Sequence, residues 1–441
     1  MTPSRRAGDV SALLIRGGRF VGPATRVERD ADILLKDGKI SAVDKPGAIP
    51  TPAGGEVFEA KGMLVLPGLI DLHVHLREPG LTHKETIETG TRAAVAGGFT
   101  SVACMANTMP VNDSAGVTAL INEKARSQGR CRVFPVGAVT EGLRGEKLAA
   151  LGAMAAEGAV AFSDDGEPVM NSLVMRRAME YATHFGLPVI SHAEDKNLSG
   201  KGLINEGAIS ARLGLEGNPA ASEEIIVARD IALCRLTRCR LHIAHISTKL
   251  AVDLVRRAKA EGLPITAEVT PHHLMLTDAS VVPYRTCCKM APPLRTQDDL
   301  EAVRAALADG TIDVIATDHA PHSELEKDVE YDHAPNGIIG VETAVAVTYS
   351  LVREGKLPLM RWVDALTLSP AKILSPGSRM MDLGTLKVGA SADVTVIDPD
   401  LGWTYSAEEV RSKSRNTPWL GEKLTARAVL TVVGGEIRHR L

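Results

Sequence analysis

Histidine, aspartate and arginine recur in this 441-residue chain at spacings that can do chemistry. The run Asp71-Leu72-His73-Val74-His75-Leu76-Arg77 follows an apolar stretch, Met63 to Ile70, that reads as a buried strand. Side chains alternate along a strand, so His73 and His75 share a face, and two imidazoles at a strand's end can hold one metal ion. Most such pairs hold nothing, so the weight rests on what else the chain brings to the same place. Further candidates follow other apolar runs: Ser163-Asp164-Asp165-Gly166, Ser191-His192-Ala193-Glu194-Asp195, His242 and His245, Pro271-His272-His273, and Thr317-Asp318-His319-Ala320-Pro321-His322. Of thirteen histidines, all but His83, His184, His333 and His439 fall at or just beyond such an end. Imidazoles and carboxylates without thiolate suit zinc, and also manganese, cobalt or nickel. The donors exceed what one tetrahedral ion needs; two close ions bridged by a carboxylate and a hydroxide would use them. Taken singly, each residue reads equally well as a hydrogen-bonded polar group.

These donors need strands that end together. Between residues 63 and 372 short apolar strands alternate with helical stretches. After the first strand come 99–105, 131–137, 158–163, 187–191, 240–245, 263–269 and 312–317. Helices are expected over 85–96, 114–125, 173–185, 220–236, 249–260 and 297–307. Eight strands alternating with helices predict a (β/α)8 TIM-like barrel. The rival, a doubly wound open sheet, lacks a Gly-x-Gly-x-x-Gly after the first strand. Both chain ends differ in texture, with Asp37-Gly38 between apolar runs as a hairpin signal, and alternation over 392–397 and 428–437. They predict one small β-sandwich domain built from both ends, 1–62 and 375–441, around a barrel of 63–374. The charged stretch His322 to Gly337 is long enough to act as a lid over the site.

Hydrophobic content of 44%, charged content of 24% and a net charge of −4 describe a globular chain with no bias toward nucleic acid or membrane. No apolar run approaches the ~20 residues of a membrane span, and Met1 to Val10 lacks the apolar core of a secretory signal. Six cysteines without a Cys-x-x-Cys pair suggest free thiols and a cytoplasmic location.

At this point the motifs resemble a family. The run Pro67 to Gly80 is similar to the signature of cyclic amidohydrolases of the dihydroorotase type. So are Lys84 to Gly90, Ser163 to Gly166, His245-Ile246-Ser247-Thr248, Ala267 to Leu274 and Ala316 to His322. The resemblance, to class I bacterial members, covers nearly the whole chain. It implies interconversion of L-dihydroorotate and N-carbamoyl-L-aspartate in pyrimidine biosynthesis. It implies His73, His75 and Asp318 as ligands of one metal ion, His192 and His245 as ligands of a second, and Asp165 as the bridge. Many relatives bridge with a carboxylated lysine; this strand end offers only Asp164 and Asp165. One or two zinc ions per subunit are implied, with other divalent metals as alternatives. Arg77, Asn107 and His322, with His75, resemble substrate contacts, and Asn336 and Gly337 a backbone contact to the ring. A homodimer and an association with aspartate transcarbamoylase also belong to what the resemblance implies.

The chemistry agrees with that set. A cation acidifies bound water and polarises an amide carbonyl, and Asp318 is placed to carry a proton to the departing ring nitrogen. Arg77 offers a fork that fits a carboxylate. One departure stands out. The family reads Lys-Met-Asn-Pro-Pro-Leu-Arg where this chain has Ala291 within Lys289 to Arg295. The missing amide removes up to two hydrogen bonds, each worth roughly 0.5–1.5 kcal/mol net. It keeps a hydantoinase, dihydropyrimidinase or allantoinase reading open. A dead barrel that only partners aspartate transcarbamoylase is disfavoured, because all six ligand positions are kept.

Overall fold

The computed structural model describes residues 12–374 and 382–441; the reading of Met1 to Val10 and the boundary at 375 lie outside them. Eight parallel strands follow one another around a barrel: Leu69–Val74, Phe99–Cys104, Arg132–Gly137, Ala161–Phe162, Val189–Ser191, Leu241–Ile243, Ile265–Val269 and Val314–Ile315. The first and last strands close the ring. Val74 and His319 bridge in parallel, and His75 N donates to His319 O at 2.9 Å. Below that bridge, the buried carboxylate of Asp71 accepts from Thr317 N at 3.0 Å and Thr317 Oγ1 at 2.6 Å.

The apolar run 63–70 is not one strand. It divides at Gly68 into Leu64–Pro67, which joins the sheet of the chain ends, and Leu69–Val74, which opens the barrel. A Cβ on Gly68 would lie 2.1 Å from Thr100 Oγ1, so only glycine lets the chain pass the second barrel strand here. Several later strands are shorter than expected because their last residues turn out of the ladder. His245 (φ 30°) and Asp318 (φ 47°) take left-handed backbone there, as does Arg77 (φ 59°) beyond the first strand. Such conformations are costly for residues with a Cβ and cluster at functional sites.

The expected helices form, with shifts of up to three residues at their ends: Ile87–Ala96, Ala115–Gln128, Ser172–Thr183, Ala221–Thr237, Lys249–Ala260 and Gln297–Asp309. Their starts have local causes. Thr86, Asn171, Thr248 and Thr296 each accept from a backbone N–H of the first turn. The barrel interior is filled by Ile70, Leu72, Ala103, Met105, Val136, Ile190, Ala244, Val314 and Ala316. A second apolar layer, including Leu69, Val74, Ile226, Val252 and Val303, packs strands against helices.

Strands from both chain ends form one eight-stranded sheet outside the barrel. Asp37 (φ 50°) and Gly38 (φ 73°) make the hairpin turn between Val27–Lys36 and Lys39–Asp44. The sheet curls over a core of its own that joins Ile15, Ile33 and Leu35 to Val394, Val396 and Leu430. Thr395 Oγ1 donates to Gly98 O at 2.6 Å and Thr431 Oγ1 to Val95 O at 2.7 Å, which ties this unit to the barrel wall. Among the described residues no helix is long and apolar enough to cross a membrane.

Candidate active site

The first strand aims two imidazoles by breaking its own rhythm. Ile70 and Leu72 lie in the barrel interior, yet His73 and His75 also point there. The register explains how: Asp71 pairs with Val102 and Val74 with Cys104, so the first strand carries one extra residue between them. This bulge shifts the alternation by one position and turns the His pair inward.

Around the pair the barrel mouth gathers all six expected ligands. Asp165 Oδ1 lies 3.4 Å from His73 Nε2, from His192 Nδ1 and from His245 Nε2. Its Oδ2 is 3.5 Å from His75 Nε2. Asp318 Oδ1 is 2.9 Å from His75 Nε2 and 3.5 Å from His73 Nε2. Three overlapping triads have ligand atoms within 4.8 Å of one another: His73, His245 and Asp318; His73, His75 and Asp165; Asp165, His192 and His245. All six side chains are buried.

The outer nitrogens of these rings are held by groups that direct the inner ones. His73 Nδ1 donates to Glu268 Oε1 at 2.7 Å, which turns Nε2 toward the cluster. His75 Nδ1 meets Asn107 Oδ1 at 2.8 Å, and His192 Nε2 meets Glu194 Oε2 at 3.3 Å. Glu268 also accepts from His245 N at 3.3 Å and holds His242 Nε2 at 3.1 Å. Its place in the fourth position of Ile265–Val269, an acid within a buried strand, was the available sequence signal. Glu194, two residues past His192, stood within the candidate run Ser191 to Asp195 without a role of its own.

The charges call for a cation. His73 Nε2 is buried and has no hydrogen-bond partner. Burial would lower its pKa, but Asp165, Asp318 and Glu268 outweigh burial and raise it well above the usual value. Burial likewise opposes ionisation of Asp165, and His73, His192 and His245 override it to hold the carboxyl well below its usual range. His192 is pushed up to about 9, against burial, by Asp165 and Glu194. Protons gather where a metal would put positive charge, and an unpartnered nitrogen points at the same spot. This donor set fits a divalent ion.

Other strand-end histidines serve elsewhere. His242 is fixed by Glu268 and Thr266. His319 Nε2 faces Glu85 at 3.4 Å, and its Nδ1 accepts from Gly340 N at 3.2 Å. His273 contacts Pro292 O at 3.1 Å, and burial pushes its pKa down to about 3. Asp164 turns away to accept from Val139 N and Thr140 N at 2.7 and 3.0 Å. That leaves Asp165 as the carboxylate at this strand end facing the histidines.

A cavity of about 210 Å³ opens on the cluster, lined by His75, Arg77, Asn107, Asp165, His192, Ala291, Asp318, His322 and Asn336 among others. It is smaller than the roughly 300–1,000 Å³ of drug-sized sites, as suits a small ring. Arg77 reaches it from the left-handed turn beyond the strand, not by continued alternation. Its Nε donates to Pro321 O at 3.2 Å, and its Nη2 lies 3.4 Å from His322 Nε2. Burial and the cations Arg77, Lys84 and Lys327 push His322 down to about 2, so it is neutral. His322 Nε2 also lies 2.9 Å from Asn336 O. Gly337 has φ 151°, and a Cβ there would sit 2.7 Å from both Ala320 O and His322 Cδ2. Ala291, Met290 and Lys196 line both this cavity and a neighbouring one of about 580 Å³.

The fold is shared with solved structures of hydantoinases. An L-hydantoinase (dihydropyrimidinase) from Arthrobacter aurescens superposes with a TM-score of 0.86 at 24% identity, covering 97% of this chain and 96% of its own. A D-hydantoinase (dihydropyrimidinase) from Thermus sp. gives 0.81 at 28% identity, covering 97% and 95%. Sequence relatives narrow the class. A family model described as "Dihydro-orotase-like" matches residues 62–251. A dihydroorotase of Anaeromyxobacter dehalogenans (strain 2CP-C) is 53% identical over 429 residues, covering 97% of this chain and 98% of that protein. One of Geobacter metallireducens is 50% identical over 428 residues, covering 97% and 99%. The chain belongs to the dihydroorotase family.

Proposed function

We propose that this protein is a metal-dependent dihydroorotase that interconverts L-dihydroorotate and N-carbamoyl-L-aspartate in pyrimidine biosynthesis. The observation that carries the reading is a buried His and Asp cluster sharing one small cavity with Arg77. His73, His75 and Asp318 would hold one divalent ion, with zinc the choice for these donors, and His192 and His245 a second, with Asp165 between them. Bound there, the metal would supply Lewis acidity toward water and the ring carbonyl. Asp318 is kept ionised, against burial, by His73 and His75. It takes the proton of the attacking water and delivers it to the ring nitrogen as the C–N bond breaks. The carbonyl carbon ends as a carboxylate, with the second proton of the water released to solvent, and the same groups close the ring in reverse.

Arg77 supplies the cation for the ring carboxylate. Neutral His322 and the amide of Asn107, whose Oδ1 already faces His75, complete that end. A cytoplasmic location is part of this reading, supported by six free thiols. The reading is tested by removing metal. The purified protein is expected to open dihydroorotate, to lose that activity to a chelator and to regain it with zinc. Asp165→Ala is expected to bind less than half the wild-type metal by elemental analysis. A fully active protein without bound metal would overturn it.

A further inference from the structure

The segment that follows the strand Val394–Thr404 leaves the sheet of the chain ends and runs back to the barrel mouth. There the buried side chain of Asn416 meets the loop after the eighth strand from both ends. Its Nδ2 donates to Ala320 O at 2.8 Å and to Gly337 O at 3.0 Å. Its Oδ1 accepts from His322 N at 3.1 Å. Its backbone carbonyl accepts from Ile339 N at 3.0 Å. One side chain therefore spans the entry of the loop, at Ala320 and His322, and its exit, at Gly337.

The groups it spans are those at the substrate end of the cavity. His322 and Asn336 line it, and Arg77 Nε is seated on Pro321 O, between two residues that Asn416 holds. Asn416 does not line the cavity itself. Its geometry needs two donors and an acceptor on one planar group. An aspartate would set oxygen against two carbonyls, and alanine would leave Ala320 O and His322 N without partners and Gly337 O with Lys327 Nζ alone.

We propose that Asn416 is a positioning residue for substrate recognition: it fixes the spacing between His322, the Asn336–Gly337 backbone and Arg77 at which a ring carboxylate is held. This deepens the dihydroorotase reading and rests on it. The C-terminal part of the chain then contributes to substrate affinity without touching substrate.

The test is steady-state kinetics on dihydroorotate with wild type, Asn416→Ala and Asn416→Asp, with metal content and thermal midpoint measured on the same preparations. Asn416→Ala is expected to raise KM by about ten-fold or more while kcat stays within about three-fold and bound metal is unchanged. Asn416→Asp keeps the acceptor for His322 and loses the donors, and is expected to shift KM in the same direction. Where the alanine variant does not fold, Asn416→Ser carries the same comparison. Unchanged KM in the folded variants, or a lower thermal midpoint with wild-type kinetics, would overturn the assignment. A wild-type protein that does not open dihydroorotate would instead overturn the functional reading, so the two failures are distinguishable.

Discussion

On the proposed reading, Arg77 is the residue at which a general ring-opening site becomes one for a charged ring. It is buried, and burial draws its pKa down to about 10, so it stays a full cation at neutral pH. A buried guanidinium seated on one carbonyl and one neutral imidazole has fork donors left for an anion. Arg77→Ala is expected to raise KM for dihydroorotate by about 100-fold, with metal content unchanged; this follows from losing a charge-assisted contact worth roughly 1.5–3 kcal/mol. Kinetic constants within two-fold of wild type would contradict the carboxylate clamp. At this scale the strand-end histidines and aspartates were legible because their types and positions repeat. Residues that hold them were harder to see. Glu268 and Asn107 act through rings distant in sequence, at separations of 195 and 32 residues, and no local spacing reveals such a partner. Ala291 was legible as a departure, and its place on the wall between two cavities shows where the missing amide leaves space.

The loop from His322 to Gly337 is the element that completes the cavity. It contains a short helix, Glu324–Lys327, and is held at several points. Lys327 Nζ donates to Pro335 O at 2.8 Å and Gly337 O at 3.2 Å, and Lys289 Nζ to Tyr331 O at 2.6 Å. Burial, with the nearby charge of Lys289, pushes Lys327 down to about 7, although the Cys287–Cys288 pair opposes this. The unfolded chain therefore binds the extra proton between about pH 7 and the usual 10.5. Stability contributed by Lys327 is lowest below that window and grows as pH rises through it. Lys327→Met is expected to remove this rise: the wild-type minus variant difference in unfolding free energy should be larger at pH 10 than at pH 7. Equal differences at the two pH values would contradict the buried, depressed lysine. The loop's length and charge pointed to a cover for the site, but its fastenings come from separate parts of the chain. The apolar run 63–70 failed as a single strand for a related reason: uniform hydrophobicity does not reveal where one sheet ends and another begins. The helix Ala344–Arg353, seven of whose ten residues are buried, was not among the expected helices.

At the scale of the molecule, a barrel and a sheet made from both chain ends share a wall, and the C-terminal segment returns to the barrel mouth through Asn416. The barrel order was legible from alternation of strands and helices, and the sheet from its turn signals. The return of residues 405–419 to the site was not, since nothing in that stretch carries the site's chemistry. The same architecture serves the hydantoinases and dihydropyrimidinases it superposes on, so the fold alone leaves the ring open. On the proposed reading, what selects it is the charge at the far end of the cavity. The most direct measurement is kcat/KM of the metal-loaded wild-type protein on L-dihydroorotate against dihydrouracil, which lacks the carboxylate. The account expects dihydroorotate to be favoured by at least about 100-fold, the range reached when a buried polar contact is present in one substrate and missing in the other. Equal or faster turnover of the uncharged ring would contradict it.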